Sequence, residues 1–133
     1  MDKKTKEYSI LALGFLVLLI LGINAMLHMS YTVNEPIYIM AGYYYITQGE
    51  TFYTGHPIFT HILAAVPLLF IDVDVPDPTI IVHPFEFARE EWLYYGNNDP
   101  DTIIFLARIP FLLLSMLFAY YIFRWAKELY GLW

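Results

Sequence analysis

Residues Ile10 to Leu27 read ILALGFLVLLILGINAML, and the charge-free tract around them extends from Tyr8 to Asn34. An α-helix rises about 1.5 Å per residue, so about 20 apolar residues cross the roughly 30 Å hydrocarbon layer of a bilayer. The stretch predicts a transmembrane helix over residues 8–28. Lys3, Lys4 and Lys6 before it and Ile23-Asn24-Ala25 near its end also fit a cleavable signal peptide. The apolar run exceeds the usual length of about 7–15 residues for such signals.

A second span is expected over residues 103–123, around the apolar run from Ile109 to Tyr121. Arg108 lies near its start, where a charge at the membrane centre would cost on the order of 3 kcal/mol and less near an interface. Arg124 and Lys127 flank the other end. Of the seven Lys and Arg residues, only Arg89 lies between His28 and Thr102, whereas ten of the thirteen acids do. Basic residues concentrate on the cytoplasmic side of membrane proteins. Residues 1–7 and 124–133 are therefore expected in the cytoplasm and residues 29–102 outside it, in a multi-pass protein of the cell membrane. The acidic outer segment, in a chain of net charge −6, excludes nucleic acid as a partner. The chain has no cysteine, hence no disulfide and no thiolate metal site.

The segment between the spans is too apolar for a disordered linker. A helix is expected over residues 35–48, with Asn34 as its cap, Pro36 in its first turn and Gly49 at its end. Its apolar side chains cover most of its circumference, which seats it against membrane or other protein. A second helix is expected at 57–70, started by Pro57 and kinked or ended by Pro67. It is short for a span and reads as interfacial or re-entrant. Asp72 to Pro78 reads as an acidic turn, Thr79 to Val82 as a short strand or extended piece, and residues 84–95 as a third short helix. Gly96 to Pro100 is a turn. The expected fold is thus all-α and integral to the membrane: two transmembrane helices flanking a long extracytoplasmic loop with short interfacial helices.

Five features occur in order: Glu35-Pro36, Ala41-Gly42-Tyr43 with Tyr45, Gly49, His56-Pro57, and Leu63-Ala64-Ala65 followed by Pro67-Leu68. Ala107-Arg108-Ile109-Pro110 and Phe123 to Gly131 follow at the end of the chain. The series resembles the first outer loop and second span of the GT-C membrane glycosyltransferases, in particular the dolichyl-phosphate-mannose protein mannosyltransferases and lipid A aminoarabinose transferases. The resemblance implies transfer of a mannose-like sugar from a polyprenyl-phosphate carrier to an acceptor on the outer face. It implies membrane lipid and the polyprenyl-phosphate-linked sugar as partners. Family members have many more helices, so the chain looks like an N-terminal fragment or a split version, paired with missing downstream helices or a larger membrane complex. Two positions depart from the family pattern: Asn34 stands where an Asp is usual, and Ile58 where a second Pro is usual.

Glycosyl transfer needs a base for the acceptor hydroxyl and positive or hydrogen-bonding groups for the departing phosphate. Glu35 is the leading candidate base, with Asn34 at the position of the family Asp. Partial desolvation is expected to raise the pKa of Glu35; alternatively Asn34 and Glu35 only cap a helix. His56 is a candidate for donor phosphate, or a turn residue bonded to backbone. Arg108 is expected to pair with Glu35, another loop acid or donor phosphate, or to snorkel to headgroups. Tyr43 and Tyr45 are candidates to line a carrier-lipid groove or stack on sugar, or are interfacial belt residues. No metal site is expected, since His56 and His61 are five residues apart rather than the four that suit helical ligands. No cofactor is expected, and participation of a divalent cation is left open. The alternative to a transferase is a non-catalytic two-span protein, degenerate or accessory to a larger complex. With so few cations in the outer segment, the chain is expected to be inactive by itself.

Overall fold

The computed structural model describes residues 2–50, 53, 55–74 and 83–131, omitting the side chain of Lys3. Among the described residues the protein is helical, with no β-strand. The elements are α1 (Lys3–His28), α2 (Glu35–Gln48), α3 (Ile58–Ala65) with a 3₁₀ extension (Val66–Phe70), α4 (Pro84–Glu86) with a π-helical extension (Phe87–Tyr95), and α5 (Pro100–Tyr130). The expected extended piece at Thr79 to Val82 and the second half of the acidic turn lie outside the described residues. The chain divides into two compact units, residues 1–28 with 111–133, and residues 29–110.

In the first unit, α1 and the later part of α5 run antiparallel. Lys127 Nζ meets Glu7 Oε2 at 2.6 Å near one end. Near the other, a Cβ on Gly22 would overlap a methyl of Leu112, so the Leu112 side chain packs into the space that glycine leaves. Fifteen residues forward on α1 match fifteen back on α5, one constant register. The less exposed residues Leu11, Phe15, Leu18 and Gly22 face a matching series at Phe123, Ala119, Met116 and Leu112. Outside this seam Leu13, Leu16, Ile20, Leu21, Leu117, Phe118 and Ile122 are exposed. Two helices are therefore long and apolar enough to cross a membrane, and α1 buries none of its apolar window within the chain. Both exceed the expected spans: α1 begins at Lys3, and α5 runs from Pro100 to Tyr130.

The second unit is built around α2. Pro36, Ile37, Ile39, Met40, Ala41, Gly42 and Tyr44 are all buried, more of the circumference than one packing neighbour can cover. The chain's own elements cover it: Ala64 of α3, Leu68 of its extension, Ala88, Trp92 and Leu93 of the π-helix, and Ile103, Ile104 and Ala107 of α5 share its core. The sequence expectation that α2 rests against membrane or another protein is corrected accordingly. Its apolar girth is satisfied inside its own unit.

Local chemistry sets the boundaries of these helices. Gly49 ends α2 in the left-handed region (φ 77°), with its N–H on the Tyr45 carbonyl. An L side chain rarely adopts that conformation, and glycine adopts it without strain. Pro67 does not kink α3; the α-helix stops at Ala65 and tightens into 3₁₀ winding. The segment after α4 is wider than α. Its buried residues Ala88, Trp92 and Leu93 recur at spacings of four and five, which a π-helix brings to one side. Asn98 secures its end, donating from Nδ2 to the Trp92 carbonyl at 2.8 Å and accepting the Asp74 N–H at Oδ1 at 2.9 Å. Trp92 Nε1 donates to the Asp74 carbonyl at 2.7 Å.

Candidate functional site

Glu35 begins α2, and Arg108 lies 73 residues later on α5. They form a two-pronged ion pair: Arg108 Nε donates to Oε1 and Nη2 to Oε2, each at 2.9 Å. A planar guanidinium matches a carboxylate in this way, and such forked bonds are among the strongest in proteins. The remaining reach of Arg108 goes to the chain leaving α1, with Nη1 on the Met29 carbonyl (2.9 Å) and Nη2 on that of Ser30 (3.1 Å). Thr32 N–H adds a 2.6 Å bond to Glu35 Oε2. The Arg108 and Glu35 side chains retain 17% and 26% of their exposure. Of the fates considered for Arg108, the structure shows the pairing with Glu35.

These contacts correct two expectations. Asn34 sits at the boundary of α2 but makes no capping side-chain hydrogen bond, and it is exposed. Thr32-Val33-Asn34-Glu35 behaves as one half of a capping box, in which the acid three residues on returns to the threonine N–H. Desolvation does push the Glu35 carboxyl up, but the Arg108 bonds and charge and the Thr32 N–H outweigh it. Its pKa lies below the ordinary 4.5, so Glu35 is ionised at neutral pH and is a weaker base than partial burial alone would make it.

His56 lies in a different cluster. Its ring stands edge-on to Tyr38 of α2, with centroids 5.1 Å apart, and 6.2 Å from Tyr53. His61 of α3 stacks on the other partner surface of Tyr38 at 4.9 Å and 11°. Tyr53 in turn meets Phe85 edge-on at 5.4 Å. His61 is fully buried. Tyr43 is half-buried against the core, and Tyr45 is 38% exposed. No described contact joins His56, Tyr43 or Tyr45 to the Glu35–Arg108 pair. Among the described residues, no group of three or more His, Cys, Asp or Glu is placed to hold a metal ion.

Sequence reasoning passed over Tyr38 and Asn98 and weighed His61 only as a metal ligand. Tyr38 carried a usable signal, because three residues after Glu35 it lies one helical turn along the same side of α2. Comparison with family models, curated proteins and solved structures finds no match to this chain.

Proposed function

We propose that the chain is an integral membrane protein forming the N-terminal two-span portion of a glycosyltransferase. It would transfer a mannose-like sugar from a polyprenyl-phosphate carrier to an acceptor on the outer face. The observation that carries this reading is the Glu35–Arg108 pair. It joins Thr32-Val-Asn-Glu-Pro36 to Ala107-Arg108-Ile-Pro110, two stretches that separately resemble the GT-C enzymes. A carboxylate offers about four lone-pair positions. Arg108 takes a position on each oxygen and the Thr32 N–H another on Oε2, and an acceptor hydroxyl would bond to Oε1. In this reading Glu35 is an ionised anchor for the acceptor.

In this reading Glu35 lies near the outer surface and α3 with its extension in the interfacial layer. Residues 51–71 contain no Asp, Glu, Lys or Arg. Phe59, Val66, Leu69 and Phe70 form an exposed apolar stripe opposite the buried His61, Ala64, Ala65 and Leu68. Such a face partitions into the headgroup and acyl boundary. Both termini are cytoplasmic in this topology, so a cysteine introduced at Glu50 reacts with an impermeant thiol reagent added outside. Labelling only from the cytoplasmic side would overturn the orientation.

A second reading, a non-catalytic membrane protein that packs against a larger complex, is favoured by the engagement of Glu35 with its own chain. Sugar transfer separates the two. Membranes carrying the chain together with the protein encoded by its adjacent reading frame are supplied with a labelled polyprenyl-phosphate sugar, and Glu35→Gln is compared with wild type. The transferase reading expects transfer in wild type and a drop of about tenfold or more in the variant, equivalent to about 1.4 kcal/mol. Equal transfer by both removes Glu35 from the site. No transfer by the wild type leaves the non-catalytic reading.

A further inference from the structure

His61 is the one buried polar side chain among the described residues, and neither Nδ1 nor Nε2 has a hydrogen-bond partner. Buried polar groups in folded proteins are almost always satisfied, so an imidazole left without a bond calls for an explanation. Its surroundings are specific. Tyr38 of α2 stacks on one face, and Tyr53 lies 5.9 Å away in the segment joining α2 to α3. His56 of the same segment repels any positive charge on it. Burial holds the Tyr53 phenol above its ordinary 10. Among the described residues the titratable groups facing His61 are Tyr38, Tyr53 and His56, and no carboxylate is among them.

The backbone at this point is equally constrained. A Cβ on Gly42 would overlap the carbonyl of His61, so α2 and α3 touch main chain to main chain. The ring stacked on Tyr38 and the carbonyl that meets Gly42 belong to the same residue, so the stack and the close backbone contact lie side by side. A neutral imidazole fits such a site at the expense of its hydrogen bonds. Among the described residues an imidazolium has no counter-charge there.

We propose that His61 makes the α2–α3 contact a proton-operated latch: neutral, it seats α3 on α2; protonated, it leaves for water and the contact loosens. The inference stands on the second unit alone and does not depend on the glycosyltransferase reading. Burial, and then the His56 charge, hold the His61 pKa below its ordinary 6.5. The folded form therefore binds fewer protons than the open form below that value. The contact is fully closed above about pH 6.5 and weakens as pH falls, by up to tenfold in the opening equilibrium per pH unit. Because α2 also begins with Glu35, acid loosens the helix that carries the ion pair.

The test is amide hydrogen exchange on the full chain in lipid nanodiscs from pH 7.5 to 5, corrected for intrinsic exchange. Protection of residues 36–44 and 58–65 is expected to fall up to tenfold per pH unit below about 6.5, with α1 unchanged. His61→Phe keeps an aromatic stack and removes the titration, so its protection should be flat with pH. His56→Ala should leave a shallower fall. Flat protection in the wild type, or an unchanged fall in His61→Phe, would overturn the latch. Should His61→Phe not fold, the ring carbon resonance of His61 in the wild type decides the matter. Proton uptake coincident with lost protection supports the proposal, and titration without any loss of protection overturns it.

Discussion

Removing Arg108 tests the joint that defines the second unit. In Arg108→Met the Glu35 carboxylate keeps Thr32 but loses its cation, and the Met29 and Ser30 carbonyls lose this donor. Breaking a buried ion pair from one side costs about 3–5 kcal/mol, because the surviving charge is stranded. The pair here keeps 17% and 26% exposure, so solvent screens part of that loss and about 2–3 kcal/mol is expected. Glu35→Gln retains an acceptor oxygen but surrenders the charge, for about 1–2 kcal/mol. Since both variants break the same fork, the double variant should be less unstable than their sum, by about 1–2 kcal/mol. Denaturant unfolding in micelles, followed by Trp92 fluorescence after Trp125→Phe and Trp133→Phe, measures all three. Trp92 is buried in the second unit and bonded to Asp74, so it reports unfolding of that unit. A coupling within about 0.5 kcal/mol of zero is ordinary additivity and would refute the pair as a stabilising interaction.

Four further outcomes follow from the same geometry. Glu35 contributes a second acid-sensitive window: its lowered pKa makes its stabilisation complete above about 4.5 and lost as pH falls below that value, so Glu35→Gln should flatten only that limb of a stability–pH profile. Gly42→Ala forces a methyl into the His61 carbonyl and should cost about 3 kcal/mol, while Gly14→Ala, which meets open space, should cost nothing measurable; thermal unfolding compares them. Asn98→Ala removes the bridge between Asp74 and the end of the π-helix and should cost about 1–3 kcal/mol, with red-shifted Trp92 emission. In this cysteine-free chain, cysteines at Leu11 and Phe123 should cross-link on oxidation, and cysteines at Leu13 and Phe118 should not; the reverse result would discard the α1–α5 register.

The helices were legible where one residue type fixes an ending. Gly49 closes α2 at the expected position because only a left-handed residue can terminate it there, and the charge-free tract of α1 is long whatever surrounds it. Asn34 holds the N-cap position of α2 as expected but makes no side-chain bond there, because the Glu35 carboxylate turns back to the Thr32 N–H instead. Burial of α2 was misassigned. An apolar circumference says that something covers the helix, and the covering residues Trp92, Leu93 and Ile103 come from positions whose folding back no local pattern specifies. The π winding of Phe87–Tyr95 likewise depends on which side chains the core accepts, since the same letters satisfy α spacing nearly as well. At the site, Arg108 was traceable because a charge beside an apolar run demands a partner. His61 was not, because its peculiarity is the absence of bonds.

The ion pair also bears on what the second unit can do with a phosphate. A departing phosphoryl group is stabilised by cations aimed at it. Among the described residues of this unit the strong cations are Arg89 and Arg108. Arg89 is bonded to Glu90 at 2.6 Å, and Arg108 is committed to Glu35 and two carbonyls. Recruiting Arg108 to a phosphate would strand the Glu35 carboxylate in a half-buried site. The same residue cannot then hold the acid in place and neutralise the leaving group. In the transferase reading, acceptor anchoring at Glu35 and donor stabilisation would therefore be divided between this unit and cations supplied from outside it. This is why, in the transferase reading, the chain by itself binds one side of the reaction and completes neither.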